Sequence, residues 1–250
     1  MSPSANSSAN PTASDAVGQT SYGDPDTLAA TFERSAVLKR DLFGRIERGS
    51  VTLPDGGTLA VVRRNWRAGP WWTGPIAAWL ASREVTTLRA VAGLDAVPQL
   101  VFAGRGQLLR TWLDGAAMHE AQPRDPAWYS AARRLLVRLH RHGVTHNDLA
   151  KEPNWIVLAD GRPGLIDFQL ARVSRRRDGF FRLLAREDLR HLLKHKRTYA
   201  AAHLTHRELE WLARPSLPAR LLRDGMKPVY LFVTRRVLGW RDREGQGPRP

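Results

Sequence analysis

Cysteine is absent from the sequence, which excludes disulfides and thiolate zinc sites. A long apolar run is missing too. The richest stretch, WWTGPIAAWLA from Trp71 to Ala81, is too short to span a bilayer and contains Gly74 and Pro75. The N-terminus lacks the charged start and apolar stretch of a secretory signal. The expectation is a soluble, cytoplasmic protein, with peripheral attachment to the inner face of the membrane left open. Acidic residues are scarce, 24 against 39 basic ones, for a net charge of +15. That bias favours an anionic partner: nucleic acid, an anionic membrane surface or a phosphorylated substrate. The bland alternative is an arginine-rich surface with no specific polyanion.

What is present supports a packed core: 42% of the 250 residues are hydrophobic, enough for one large domain or two lobes sharing a cleft. Residues 1–28 are mostly Ser, Ala, Asn and Pro and are expected to be a disordered tail. From Phe43 the pattern becomes strand-like. RIERGSVTL and TLAVVRRN read as two strands joined at Asp55-Gly56-Gly57. IAAWLASREVTTLRAVAG places Ile76, Leu80, Leu88 and Val91 at helical spacing and stops at Gly93. QLVFAG and QLLRTWL supply two more strands. Residues 29–110 therefore read as a small β-rich lobe with one helix, and residues 111–250 as a larger helical lobe with a basic tail.

In the second part, Asp125-Pro126 opens a helix whose apolar face holds Trp128, Ala132, Leu135, Leu136 and Leu139, ending at Gly143. Two short strands, WIVLA and GLIDF, turn at Asp160-Gly161. AREDLRHLLKHKRTYAA is a further helix, and ELEWLARPSLPARLL continues as helix interrupted by Pro215 and Pro218. Trp66, Trp71, Trp72 and Trp79 crowd one region; a packed lobe is the favoured reading over an interfacial patch.

The segment THNDLAKEPNWIVLADGRPGLIDFQLA, Thr145 to Ala171, sets Asp148, Asn154 and Asp167 at turns between apolar residues. Unpartnered carboxylates are costly in a core. Folding the second strand back at Asp160-Gly161 brings Asn154 and Asp167 to one end, where two oxygen ligands suit Mg²⁺ and its phosphate ligands. Asp148, offset from the metal, is free to take a proton from an attacking hydroxyl.

HNDLAKEPN followed by IDFQ resembles the catalytic loop and metal loop of the protein-kinase-like superfamily, H-R-D-L-x-x-x-N and D-F-G. The resemblance implies an α+β, two-lobe protein-kinase-like fold and transfer of the γ-phosphoryl of Mg-ATP to a hydroxyl. It gives Asp148 as base, Asn154 and Asp167 as Mg²⁺ ligands, and Lys151 on the transferred phosphate. Arg63, in AVVRR, stands where the V-A-I-K lysine is expected, paired with Glu84 in the helix. Within the superfamily the chain is most similar to the bacterial lipopolysaccharide kinases of the Kdo/heptose type, with RIO-like kinases nearby. The carriers are REVTTLRAVAGLDAVPQL, LLRTWLDG, LLVRLHRHGVTHND and AREDLRHLLKHKRTY, over about residues 40–205. The implied acceptor is a sugar of the lipid-linked core or a protein Ser/Thr.

Several departures qualify the likeness. Asn154 is one residue further from Asp148 than the motif has it, Asn147 replaces the loop arginine, and Gln169 replaces the glycine. No A-P-E follows, and no G-x-G-x-x-G precedes; GRIERG, Gly44 to Gly49, is the nearest glycine loop. Two other readings stay open: a pseudokinase that binds nucleotide without chemistry, and a small-molecule phosphotransferase resembling the aminoglycoside and choline kinases. The run RRRDGFFRLLAR, Arg175 to Arg186, suits a phosphorylated lipid-bound acceptor, RNA or plain solvent. His191, His195, His203 and His206 read as structural rather than metal-binding, and His146 as a support for the loop before Asp148.

Overall fold

The structure is a computed structural model and describes residues 22–213. Expectations for residues 1–21, for Pro215 and Pro218 and for the basic tail lie outside the described residues. The architecture is α+β, built on one five-stranded antiparallel sheet and several helices.

The chain begins with α1 (Pro25–Ala30), capped by Asp24, whose carboxylate accepts from the Thr27 amide. Part of the expected disordered tail is therefore helical, because Leu28 is buried against the sheet. The sheet follows: β1 (Glu33–Asp41), β2 (Gly44–Thr52), β3 (Thr58–Asn65), β4 (Leu100–Gly104) and β5 (Gln107–Thr111), ordered β1-β2-β3-β5-β4. Gly57 donates to the Asp55 carboxylate in the β2–β3 turn and Gly56 takes φ 83°, so the Asp-Gly-Gly turn forms as expected. GRIERG is not a loop but lies within β2, paired to β1 on one side and β3 on the other.

Between β3 and β4 runs α2 (Gly74–Ala90). It buries Ala77, Ala81, Glu84, Thr87 and Leu88, and of the apolar residues read at helical spacing Leu88 is buried while Ile76 faces outward. Trp71, Trp72 and Trp79 are exposed as well, so the packed-lobe reading of the tryptophans fails for these three. The small alanines let the helix approach its neighbours closely, and the bulky side chains are left on the far side.

The remainder is β6 (Gly115–Ala117), α3 (Met118–Ala121), α4 (Pro126–Arg141), β7 (Val144–Thr145), β8 (Trp155–Leu158), β9 (Pro163–Leu165), β10 (Arg172–Val173), α5 (Gly179–Tyr199) and α6 (His206–Ala213). All five residues expected on the apolar face of α4 are buried. Helix α5 starts six residues before the expected AREDLR, because Asp178 accepts from the Phe181 amide and caps it.

One apolar cluster runs from Leu88, Val91, Leu94, Val97 and Leu108 into Trp128, Leu135, Leu139, Trp155 and Leu192. The sheet-rich and helix-rich parts thus share a core through the end of α2. Among the described residues no helix is long and apolar enough to cross a membrane.

On α5, burial and the nearby Lys194 cation push His191 down to about 4. The unfolded imidazole takes its proton near 6.5, so acid favours the unfolded chain. Stability should fall as pH drops from about 6.5 through about 4, and level off below that window. In urea titrations at stepped pH, His191→Gln should flatten this slope by up to about one proton's worth. An unchanged slope would remove His191 from the account.

Candidate functional site

The antiparallel pairing of β8 with β9 matches Trp155 to Leu165. The Ile166 amide donates to the Asn154 carbonyl at 3.0 Å just beyond that pair. Asn154 and Asp167 therefore leave the hairpin at the same end, as the turn chemistry predicts. Asp167 has φ 65°, a left-handed conformation that non-glycine residues adopt at some cost and that recurs at functional sites.

Around them the loop closes on itself. The Asn154 side-chain nitrogen donates to both the Asp148 carbonyl, at 2.9 Å, and the Asp148 carboxylate, at 3.0 Å. Lys151 Nζ lies 2.9 Å from the same carboxylate oxygen. Leu149 is pinned from beneath: its carbonyl takes the Trp155 indole N–H at 3.2 Å and lies 2.8 Å from His195 Nε2. Glu152, in the lengthened loop, accepts the Tyr199 hydroxyl at 2.7 Å and ties the loop to the end of α5. Asp148, Lys151, Asn154 and Asp167 are brought together.

Arg63 is not part of this group. Side chains alternate along a strand, and Arg63 points to the face of β3 away from α2. There it stacks on Phe32 at 4.0 Å and pairs with Glu47, its cross-strand neighbour, at 2.7 Å. Its expected pairing with Glu84 is corrected by one residue: Arg64 faces α2, with Nε 3.6 Å from Glu84. Arg110 on β5 reaches the other Glu84 oxygen at 3.0 Å. All three of these side chains are nearly buried, and Glu84 offsets one of the two positive charges.

The two halves of the site meet at Asp167. Burial alone would raise its carboxyl, yet the Arg64, Arg110 and Lys151 cations, with His146, hold it below the ordinary carboxylate value. Its Oδ1 accepts from Gln169 Nε2 at 2.6 Å, a contact that glycine in that place could not make. Among the described residues no cluster of three His, Asp or Glu side chains is placed to hold a metal ion. The donor set that fits a hard cation is the Asp167 carboxylate with the Asn154 side-chain oxygen Oδ1, whose partner Nδ2 is already engaged by Asp148.

Three contributors escape the sequence reading: Arg64, Arg110 and Asp188. Asp188, on α5, is 1% exposed. Its two oxygens accept from the backbone amides of His146 and Asn147, each at 2.9 Å, and Oδ2 lies 3.0 Å from His140 Nε2. His146 Nε2 in turn lies 2.9 Å from the Ile166 carbonyl, which supports the loop as expected. A carboxylate on the stripe of α5 shared with Phe181, Leu192 and His195 was the available signal.

Asp188→Ala would leave the buried His146 amide without an acceptor, at about 1–3 kcal/mol, and the part-buried Asn147 amide without its partner at a smaller cost. We expect a matching loss in urea-unfolding free energy and faster hydrogen exchange at His146 and Asn147. Wild-type exchange at those amides would contradict the anchoring role. No protein-family model matches the chain, and no curated protein matches it, so the chemistry of these side chains carries the functional reading.

Proposed function

We propose that the chain has a protein-kinase-like fold and transfers the γ-phosphoryl group of Mg-ATP to a hydroxyl acceptor. The observation that carries this is Asp167: a half-buried carboxylate at the end of a hairpin beside Asn154, its pKa held below the ordinary value by the Arg64, Arg110 and Lys151 cations. A structural ion pair needs one cation. Here Arg64 and Arg110 contact Glu84 and Lys151 contacts Asp148, yet all three also act electrostatically on Asp167, which shares its hairpin end with Asn154.

Asp167 and Asn154 would hold Mg²⁺, which supplies charge neutralisation for the phosphates. Arg64 and Arg110, oriented by Glu84, present fixed positive charge toward the same space, and Arg64 takes the place first expected of Arg63. Asp148 accepts the proton as the acceptor oxygen forms its bond to the γ-phosphorus and the bond to the β-phosphate oxygen breaks, releasing ADP. Lys151, now paired with Asp148, is placed to follow the charge onto the transferred phosphoryl group. Asn147 holds the Leu170 carbonyl at 3.0 Å instead of offering a guanidinium, which leaves the site without the usual receptor for a phosphorylated segment.

Gln169 favours a second reading, nucleotide binding without transfer, since its amide occupies an oxygen of Asp167 that the metal would use. Purified protein with γ-labelled ATP and Mg²⁺, offered lipid, protein and small-molecule fractions, separates the two. We expect label in one fraction, and Asp148→Asn to cut its rate about 10²–10⁴-fold while sparing nucleotide affinity. Asp167→Ala should abolish the Mg²⁺-dependent part of nucleotide binding. Bound nucleotide with no label anywhere would favour the second reading, and an Asp148→Asn protein as fast as wild type would refute the base. The labelled fraction names the acceptor: lipid for a lipopolysaccharide-type kinase, protein for a RIO-like one.

A further inference from the structure

Helix α2 and the 3-10 turn before it, Trp71–Thr73, display their largest apolar side chains to solvent. Trp71 is 90% exposed, Trp72 48%, Ile76 53% and Trp79 54%. Ile76 and Trp79 lie one turn apart on α2, and Trp71 and Trp72 precede them in the 3-10 turn that leads into the helix. Packing does not account for them, because α2 meets the protein through its alanines, Glu84 and Leu88.

The face continues toward the candidate site. Arg83, one turn beyond Trp79, stacks on that indole at 5.0 Å. Its guanidinium donates to the Ala171 carbonyl at 2.8 Å. Leu170 beside it is 44% exposed, and its carbonyl also takes the Asn147 side-chain amide. Phe180, 42% exposed, lies under Arg172 at 4.7 Å. Arg175 and Arg176, a few residues before Phe180 in the chain, are exposed as well. No acidic residue occurs from Trp66 to Arg83 or from Phe168 to Arg177.

We propose that this face docks on an anionic lipid bilayer. Indoles interleaved with arginines, with no carboxylate in either segment, match the interfacial zone, where aromatic rings sit at headgroup depth and cations meet anionic lipid. Leu170 links the docked face to Asn147, the neighbour of Asp148. Docking therefore presents the candidate base to the headgroup layer, where a lipid-linked hydroxyl would lie. The docking itself does not depend on phosphoryl transfer.

The test uses the full chain, without nucleotide, sedimented with vesicles of phosphatidylcholine alone or with about 30% phosphatidylglycerol at about 0.15 M salt. We expect the wild type to bind the anionic vesicles and the triple variant Trp71→Ser/Trp72→Ser/Trp79→Ser to bind them about tenfold or more weakly. Trp71→Ser alone, at a position too exposed to pack, should weaken binding several-fold and keeps the test valid if the triple variant unfolds. Failure of the wild type to bind, or equal binding by the variants, would overturn the proposal. So would a wild-type dimer, seen by light scattering, that the triple variant makes monomeric, since the face would then belong to a second copy. Because no nucleotide is present, a negative result here leaves the transferase reading standing, and the reverse holds too.

Discussion

The buried carboxylate of Asp188 is the contact on which the candidate site most depends. It lies on a long helix, away from any reacting group, and its oxygens hold two consecutive backbone amides and approach a histidine. A loop that must set Asp148 in one orientation cannot rely on its own sequence, because Asn147 takes φ 65° and leaves the backbone strained. Fixing both amides on one rigid acceptor transfers the stiffness of α5 to the loop. His146, Leu149 and Glu152 extend the same attachment to β9, β8 and the end of α5.

A second carboxylate plays the equivalent part in the sheet. Glu84 is held by Arg64 and Arg110 from adjacent strands, so the helix, β3 and β5 are tied at one point. The tie lies beside the shared apolar cluster that begins at Leu88, one helical turn further along. Removing the carboxylate would leave two guanidiniums facing each other in a nearly dry place, a worse outcome than losing one ion pair.

Much of this was legible in the sequence, for reasons that differ by element. Helix α4 has a single apolar stripe, so periodicity identifies both the helix and its buried face. The β8–β9 hairpin follows from its turn residues, and with it the meeting of Asn154 and Asp167. Helix α2 carries two stripes, one of alanines and one of aromatics, and periodicity alone does not say which is packed. Arg63 and Arg64 differ by one position in a strand buried on both sides, where alternation gives no register. Strand β1 escaped because ERSAVLKRD is mostly exposed, and its order comes from backbone pairing with β2 rather than from apolar alternation.

The charges around Asp167 have a consequence of their own. Arg64, Arg110 and Lys151 stand against Glu84, Asp148 and Asp167, so the group is electrically balanced as it stands. A lone anion or a lone divalent cation entering this space disturbs that balance, whereas the two arriving together disturb it much less. If the proposed function holds, thermodynamic linkage would make metal and nucleotide cooperative ligands, each strengthening the other by the same factor. Selectivity for the loaded pair over either free ion would be a property of the resting charge count, in place before any ligand arrives.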